Sequence, residues 1–165
     1  MRKHRVLVLT LVALLFAIAV AGCSGSEATD QRQHNLATPV VDKPYTTSSS
    51  VDLQRHSPFK LKVPNALPPG YTFASGLVTP AGAGDAVNNA MKTKVTMTFT
   101  ADGKPPIRVT ETRERPTTQV DSEDHRGDGT VARSITVIGP SLTYTVEAVD
   151  VPREDLLGIV RSLLP

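Results

Sequence analysis

Cysteine is nearly absent from this chain: Cys23 is the one thiol among 165 residues. A single cysteine cannot form an intramolecular disulfide, so the fold must depend on its hydrophobic core alone. The thiol lies in the stretch VAGCSG, at the end of the most hydrophobic run of the sequence. We therefore interpret Cys23 from its position after that run, and not as a catalytic nucleophile.

Motifs that carry catalysis are also missing. The chain contains no HExxH, no GxSxG, no phosphate-binding loop and no cluster of cysteine and histidine. The glycine-rich residues 80–90 fail as a dinucleotide-binding loop, because Val87 stands where the third glycine belongs, and they are interpreted as a mobile loop. His125 is the one histidine well beyond the first predicted strand. These absences predict a protein that is not an enzyme, with no catalytic residue, no cofactor and no bound metal.

Residues 1–22 have the pattern of a secretory signal peptide. A short basic start precedes residues 6–20, an almost unbroken apolar run. That run has about fifteen residues, whereas a membrane-spanning helix needs about twenty. Ala21 and Gly22 then supply the small side chains that a signal peptidase requires. We therefore expect this segment to be removed from the mature protein.

Val20, Ala21, Gly22 and Cys23 resemble the lipobox of bacterial lipoproteins. In that family the cysteine thiol receives a diacylglycerol, the signal is cut before the cysteine, and the new amino group is acylated, with palmitate among the acyl groups. The resemblance implies lipid attachment at Cys23 and a place on the extracytoplasmic side of the cell membrane, or of the outer membrane in a Gram-negative source. Several buried acyl chains, at about 0.8 kcal/mol per methylene, hold a protein effectively permanently. An ordinary signal peptide or an uncleaved N-terminal anchor is the alternative.

The positive charge of the chain belongs to its first residues. The whole chain has a formal net charge of +2, and loss of Arg2, Lys3 and Arg5 leaves −1. A protein with this charge lacks the basic surface that nucleic-acid phosphates require. We therefore expect no nucleic-acid partner. The expected partners are membrane lipid, through acylated Cys23, and an envelope protein, peptidoglycan or lipid ligand.

Residues 23–57 are rich in Ser, Thr, Gln and Asp and show almost no apolar periodicity. Such a segment cannot bury enough surface to offset the entropy of ordering it. The composition predicts a flexible tether with a root-mean-square reach of about 30 Å. His34 and His56 are interpreted as solvated side chains rather than metal ligands.

Residues 58–165 predict one small globular domain. Pro69 and Gly70 suit the centre of a type II turn, after which Tyr71 and Phe73 would begin a strand on one face. The Asp-Gly pair within residues 101–106 predicts a tight antiparallel hairpin. Alternation of apolar and polar residues predicts further strands at 59–63, 94–100, 107–115, 132–138 and 142–149, with a row of threonines on one face of the strand at 94–100.

The end of the chain has a helical pattern, with Pro152 at its first position. We expect this helix to cover one face of the sheet, which gives the α+β class: an antiparallel β-sheet of about five to six strands packed by a C-terminal α-helix. The apolar stripe of the helix consists of Leu156, Ile159, Val160 and Leu163, and the face that it covers consists of Val95, Met97, Phe99, Tyr144 and Val146.

FKLKVPNALPPGYTF at 59–73 and YTVEAVDVPREDLLGIVRSL at 144–163 resemble the opening and closing signatures of domain of unknown function family 4367. In that bacterial family a Leu-Pro-x-Gly-Tyr turn opens the domain and an acidic Glu-x-Leu-x-x-Ile helix ends it. Members occur in extracytoplasmic parts of proteins similar to anti-sigma factors and in envelope lipoproteins. The resemblance covers about residues 58–164 and implies a noncatalytic binding or sensing domain at the cell envelope.

Residues 121–129, DSEDHRGDG, are the main candidate for metal chemistry. An EF-hand loop needs oxygen ligands at its first, third and fifth positions and glycine at its sixth, but counting from Asp121 places His125 fifth and Arg126 sixth. A solvated hairpin loop accounts for the same composition. The alternative function is a metal-dependent or enzymatic envelope factor that uses the loop from Asp121 to Asp128.

Overall fold

A computed structural model describes residues 43–81 and 90–165 of the chain. Both ranges belong to the same compact unit. A short strand and a helix come first, a run of six strands follows, and a second helix ends the fold. In chain order these are β1 (Tyr45–Thr47), α1 (Ser50–His56), β2 (Thr72–Thr79), β3 (Lys94–Ala101), β4 (Lys104–Thr112), β5 (Val120–His125), β6 (Val131–Ile138), β7 (Thr143–Val149) and α2 (Arg153–Leu163).

The strands of the described residues form one sheet in the order β1-β2-β3-β4-β7-β6-β5, and all neighbours are antiparallel. The predicted α+β class, with an antiparallel sheet and a C-terminal helix, is confirmed. The predicted count of five to six strands is wrong, because this sheet has seven. Since β4 lies beside β7, the connection from β4 to β5 must pass across the ends of β7 and β6.

β1 and α1 lie within residues 43–57, which the sequence assigns to an unstructured tether. Leu53 of α1 is fully buried in the core. The helix begins where Ser49 accepts a hydrogen bond on its Oγ from Asp52 N at 3.2 Å, as an N-cap does. His56, interpreted from sequence as solvated, stacks on Tyr45 with ring centroids 3.7 Å apart. One buried leucine in a seven-residue helix is too weak a pattern for sequence periodicity to detect.

α1 lies unusually close to β2. A Cβ atom placed on Gly76 would come within 2.8 Å of Leu53 Cγ, which is closer than real side chains approach one another. Glycine at this position therefore lets the helix lie against the strand. This close approach closes the core at the β1–β2 side of the sheet.

Residues 59–63, predicted as a strand, have no regular secondary structure and pair with no strand in the part of the chain that is described. Phe59 and Leu61 are buried and Lys60 is exposed, so the alternation holds for the first three residues, but Val63 is exposed. Side chains satisfy the backbone instead: Leu61 N donates to Gln54 Oε1 at 2.8 Å. The expectation of a strand at residues 59–63 is wrong, because these residues cover the core and do not join the sheet.

Both predicted tight turns are confirmed. Gly70 has a φ of +89°, and Tyr71 N donates to Pro68 O at 3.3 Å, as the type II turn requires. Gly103 has a φ of +67° between β3 and β4. Both values lie in the left-handed region that favours glycine.

The core lies on one face of the sheet, which we call the covered face. The predicted stripe of α2 and the predicted apolar face of the sheet are both buried there. α2 packs mainly against β7 and β6, whereas α1 packs against β2 and β1, so the two helices share the cover that the sequence assigns to α2 alone. Among the described residues, neither helix covers the opposite face of the sheet, which we call the open face. The core members named from the sequence are Val95, Met97, Phe99, Tyr144, Val146, Leu156, Ile159, Val160 and Leu163.

Candidate functional site

Cys23, the predicted lipid-attachment residue, and the predicted signal segment 1–22 lie outside the described residues. Most of the glycine-rich residues 80–90 lie outside them as well. In the two described ranges, neither helix has the length and apolar character needed to span a membrane.

The acidic residues 121–125 form strand β5 rather than the hairpin loop that the sequence predicts. Only the following residues turn, where Gly129 N donates to Arg126 O at 3.1 Å. The composition misleads because β5 is an edge strand that is exposed along its whole length. Polar side chains are acceptable on both faces of such a strand, and charge at a sheet edge discourages pairing with other chains.

The carboxylates of this acidic segment are held by neighbouring side chains. Arg153, the first residue of α2, forms an ion pair with Asp121. Glu123 accepts from Arg133 Nε at 2.8 Å and lies 2.9 Å from His125 Nε2. The hydrogen bond from Arg133 lowers the pKa of Glu123. These carboxylates therefore attach the edge strand to the rest of the fold.

Strand geometry also separates the acids. Asp121 lies opposite Ile135 on the covered side, whereas Asp124 lies opposite Ala132 on the open side. Asp128 turns back on its own chain and accepts from Thr130 N at 2.9 Å. Among the residues that the structure describes, no group of three or more His, Cys, Asp or Glu side chains is placed to hold a metal ion.

A fully buried carboxyl group, Glu111, lies on the covered face of β4. Its two oxygens accept from Lys62 N at 3.0 and 3.3 Å. Burial raises the pKa of Glu111 to about 8, although the bond from Lys62 N and the Lys62 charge act in the opposite direction. Glu111 therefore fastens the covering segment 59–63 to the sheet, and it lies on the opposite side from the open face.

The open face carries a cluster of threonines that we call the threonine patch. Register places Thr96, Thr110, Thr145 and Thr136 directly side by side on β3, β4, β7 and β6. Two pairs of these neighbours are hydrogen-bonded across the strands. Thr96 bonds to Thr110 and Thr136 bonds to Thr145, each with 3.0 Å between the Oγ1 atoms. Adjacent positions on β4 and β7 complete the patch, which consists of Thr96, Thr110, Thr112, Thr136, Thr143 and Thr145.

Residues 113–119, which we call the strap, connect β4 to β5 across the ends of β7 and β6. Arg115 Nη2 donates to Pro140 O at 2.6 Å and fixes the strap to the β6–β7 connection. Strap residues, including Pro116, line the same cavity as the threonine patch. This cavity is broad and open to solvent, and its volume is about 530 Å³.

Thr143 differs from the other members of the patch. It is 2% exposed, and its Oγ1 has no hydrogen-bond partner among the described residues. Thr112, its cross-strand neighbour, accepts on its Oγ1 from Glu114 N at 3.1 Å. An unpaired buried hydroxyl costs about 1–3 kcal/mol of folding free energy. Thr143 therefore brings to the cavity lining an unpaired hydroxyl whose oxygen has almost no accessible surface.

Formal charges around the cavity balance. Its lining includes two basic side chains, Lys94 and Arg115, and two acidic ones, Glu114 and Glu147. Lys94 Nζ lies 4.0 Å from a Glu114 oxygen, and both side chains are about half exposed. The cavity thus has no excess charge, and its lining consists largely of threonine side chains, which offer both methyl and hydroxyl groups.

The threonine row of β3 is visible in the sequence, because alternation in residues 94–100 separates it from the apolar face. The threonines of the neighbouring strands are visible only as part of each strand's own alternation. What assembles them into one patch is the strand order, with β4 beside β7, and the sequence does not show that pairing. The strap and the buried Glu111 carry no sequence signal of their own.

Comparison with protein-family models, with curated proteins and with solved structures yields no match to this chain. The fold defines an α+β domain whose sheet has one face covered by helices and an open face that carries a hydroxyl-lined cavity.

Proposed function

We propose that this protein is a lipid-anchored, extracytoplasmic lipoprotein whose domain binds a ligand at the cell envelope without catalysing a reaction. The observation that carries the binding half is the open face, where the threonine patch and the strap line a broad, open cavity of about 530 Å³. The anchoring half is based on the lipobox resemblance of residues 20–23 and on the signal pattern before it.

The chemistry of the threonine patch favours binding over nucleophilic catalysis. A threonine nucleophile needs an adjacent general base that takes its proton. Thr96, Thr110, Thr136 and Thr145 instead bond to one another in pairs. No histidine lines the cavity in the described part of the chain. Hydroxyls in such pairs keep unused donor and acceptor capacity that a ligand can occupy.

Site-specific photo-crosslinking in living bacteria tests this proposal. A photo-reactive residue replaces Leu77, an exposed side chain next to Thr96 on the open face, in the full-length protein. The matched control carries the same residue at Arg161, which is exposed on α2. We expect a membrane-associated protein in both cases, with crosslinked products from position 77 and few from position 161.

Equal crosslinking from both positions, or crosslinking from position 161 alone, would contradict a binding role for the open face. Recovery of both variants from the soluble fraction would contradict the anchor. The two halves of the proposal can therefore fail separately.

A further inference from the structure

We propose that the cavity between the strap and the threonine patch binds a neutral saccharide. This inference rests on the proposed binding function and deepens it by naming the ligand class. The observations that carry it are the hydroxyl lining, the balanced charge, the unpaired Thr143 hydroxyl and the volume of the cavity.

The lining matches the hydrogen-bonding character of a sugar. A sugar hydroxyl donates one hydrogen bond and accepts two, and a threonine hydroxyl does the same. In the Thr96–Thr110 pair, and likewise in the Thr136–Thr145 pair, only one hydroxyl proton is used between the partners. Each pair therefore presents both a free proton and free lone pairs to a polyhydroxyl ligand. In a chain of hydroxyl groups, each hydrogen bond polarises the next, so the hydrogen bonds become stronger.

Charge balance argues against an ionic ligand. Lys94 and Arg115 are opposed by Glu114 and Glu147 in the same lining. Arg115 Nη2 also donates a hydrogen bond to Pro140 O at 2.6 Å. A phosphate or carboxylate would be attracted by the two cations and repelled by the two carboxylates of the same lining. A neutral ligand avoids that conflict.

A hydrogen bond to Thr143 would contribute more to the binding free energy than one to the other threonines of the patch. Thr143 Oγ1 is shielded from solvent and is unpaired within the described fold, although its residue lines the cavity. Because this oxygen has almost no accessible surface, a ligand hydroxyl reaches it only when the neighbouring lining moves on binding, and the new hydrogen bond then satisfies a group that already carries the penalty of burial. Threonine methyl groups, Val120 and Pro116 supply the apolar contacts that the CH groups of a sugar ring require.

Ligand-observed saturation-transfer NMR on the detergent-solubilised full-length protein tests the inference. The probes are the neutral disaccharides N,N′-diacetylchitobiose, cellobiose and maltose, with inorganic phosphate as competitor. We expect saturation transfer to at least one disaccharide, and we expect no displacement by phosphate. Transfer to none of the three, or displacement by phosphate, would overturn the inference.

Thr143→Val is the decisive variant, because valine keeps the shape of threonine and removes the hydroxyl. We expect it to weaken binding of the responsive disaccharide about two- to tenfold, the effect of one neutral hydrogen bond. Its melting temperature should stay level or rise, because the unpaired hydroxyl is gone. Thr145→Val should also weaken binding of the responsive disaccharide, because it removes a different hydroxyl of the patch. The matched control is Thr98→Val on the same face of β3, since Thr98 lies outside the cavity lining.

Unchanged affinity in both Thr143→Val and Thr145→Val, or an equal loss in Thr98→Val, would overturn the assignment of the cavity. If the disaccharides fail to bind while position 77 still crosslinks in cells, the saccharide inference falls and the binding function stands. If position 77 fails to crosslink as well, both fall.

Discussion

At the scale of single residues, Glu111 shows how a carboxyl group can act as part of a core. It lies between Val95 and Tyr144 on the covered face and is fully buried. Both its oxygens accept from Lys62 N, so the group fastens a segment that has no strand partner of its own. Desolvation dominates over these favourable contacts and raises the pKa of Glu111 from 4.5 to about 8.

This shift predicts how stability depends on pH. Between about pH 4.5 and 8 the folded protein keeps a proton on Glu111 that the unfolded chain releases. The free energy of unfolding from this group therefore falls as pH rises through that window, at up to about 1.4 kcal/mol per pH unit. Urea denaturation of the full-length protein at a series of pH values from 4 to 9 measures the effect.

The matched control for that series is Glu111→Gln, which resembles the protonated carboxyl and cannot ionise. The free energy of unfolding of Glu111→Gln should therefore not decrease between pH 4.5 and 8 on account of position 111. The difference in unfolding free energy between the two proteins should then grow as pH rises. Parallel profiles for the two proteins would show that Glu111 does not titrate in this window.

Two glycines offer a second residue-scale prediction. Gly76→Ala should destabilise the protein by about 1–3 kcal/mol, because the new methyl group overlaps Leu53. Gly158→Ala is the control, since a Cβ there meets no atom within 4 Å and the residue lies inside α2. That control should stabilise by about 0.5–1 kcal/mol. Thermal unfolding of both variants decides, and a neutral Gly76→Ala would show that α1 does not lie against β2.

At the scale of elements, sequence patterns predict well where one face of an element is buried. β3, β6, β7 and α2 alternate or repeat with the period of their class, because each faces a core on one side only. β5 has no apolar face, so its pattern predicts a loop. Residues 59–63 have an apolar face but no strand partner, so their pattern predicts a strand in error. Sequence periodicity thus reports burial, and hydrogen-bond pairing is a separate property.

α2 should be part of the core rather than a detachable element. Leu156 is fully buried, and Leu156→Ala should lower the free energy of unfolding by about 2–5 kcal/mol. Leu157→Ala is the matched control on the same helix, because Leu157 is only partly buried and should lose less. Chemical denaturation measures both, and equal losses would contradict the packing of the stripe.

Deletion of residues 152–165 extends that test to the whole helix. A typical domain has about 5–15 kcal/mol of total stability, so loss of the entire stripe should unfold the described domain. Circular dichroism of the deletion variant should then show loss of the cooperative transition. A cooperative, β-rich protein with unchanged melting would make α2 an independent interaction element.

At the scale of the whole molecule, the folded domain and the N-terminal segment are known in different ways. The covered face, the open face and the strap follow from the arrangement of seven strands in the described residues. Signal peptide, lipid anchor and tether are predictions from the sequence of residues 1–57, and the tether prediction is wrong for residues 43–57, which contain β1 and α1. Sequence could propose the anchor because signal segments follow a linear order of charge, apolar run and small residues. It could not propose the cavity, because pairing between distant strands has no linear signature.

The most direct test of the account is the chemical state of Cys23 in protein purified from bacterial membranes. Mass spectrometry of the N-terminal tryptic peptide, residues 23–32, should find a chain that begins at Cys23 and carries a diacylglycerol on the thiol and an acyl group on the amine. Cys23→Ala should accumulate as an unlipidated precursor. An unmodified Cys23 thiol, with the signal cut at another position or retained, would contradict the lipoprotein assignment.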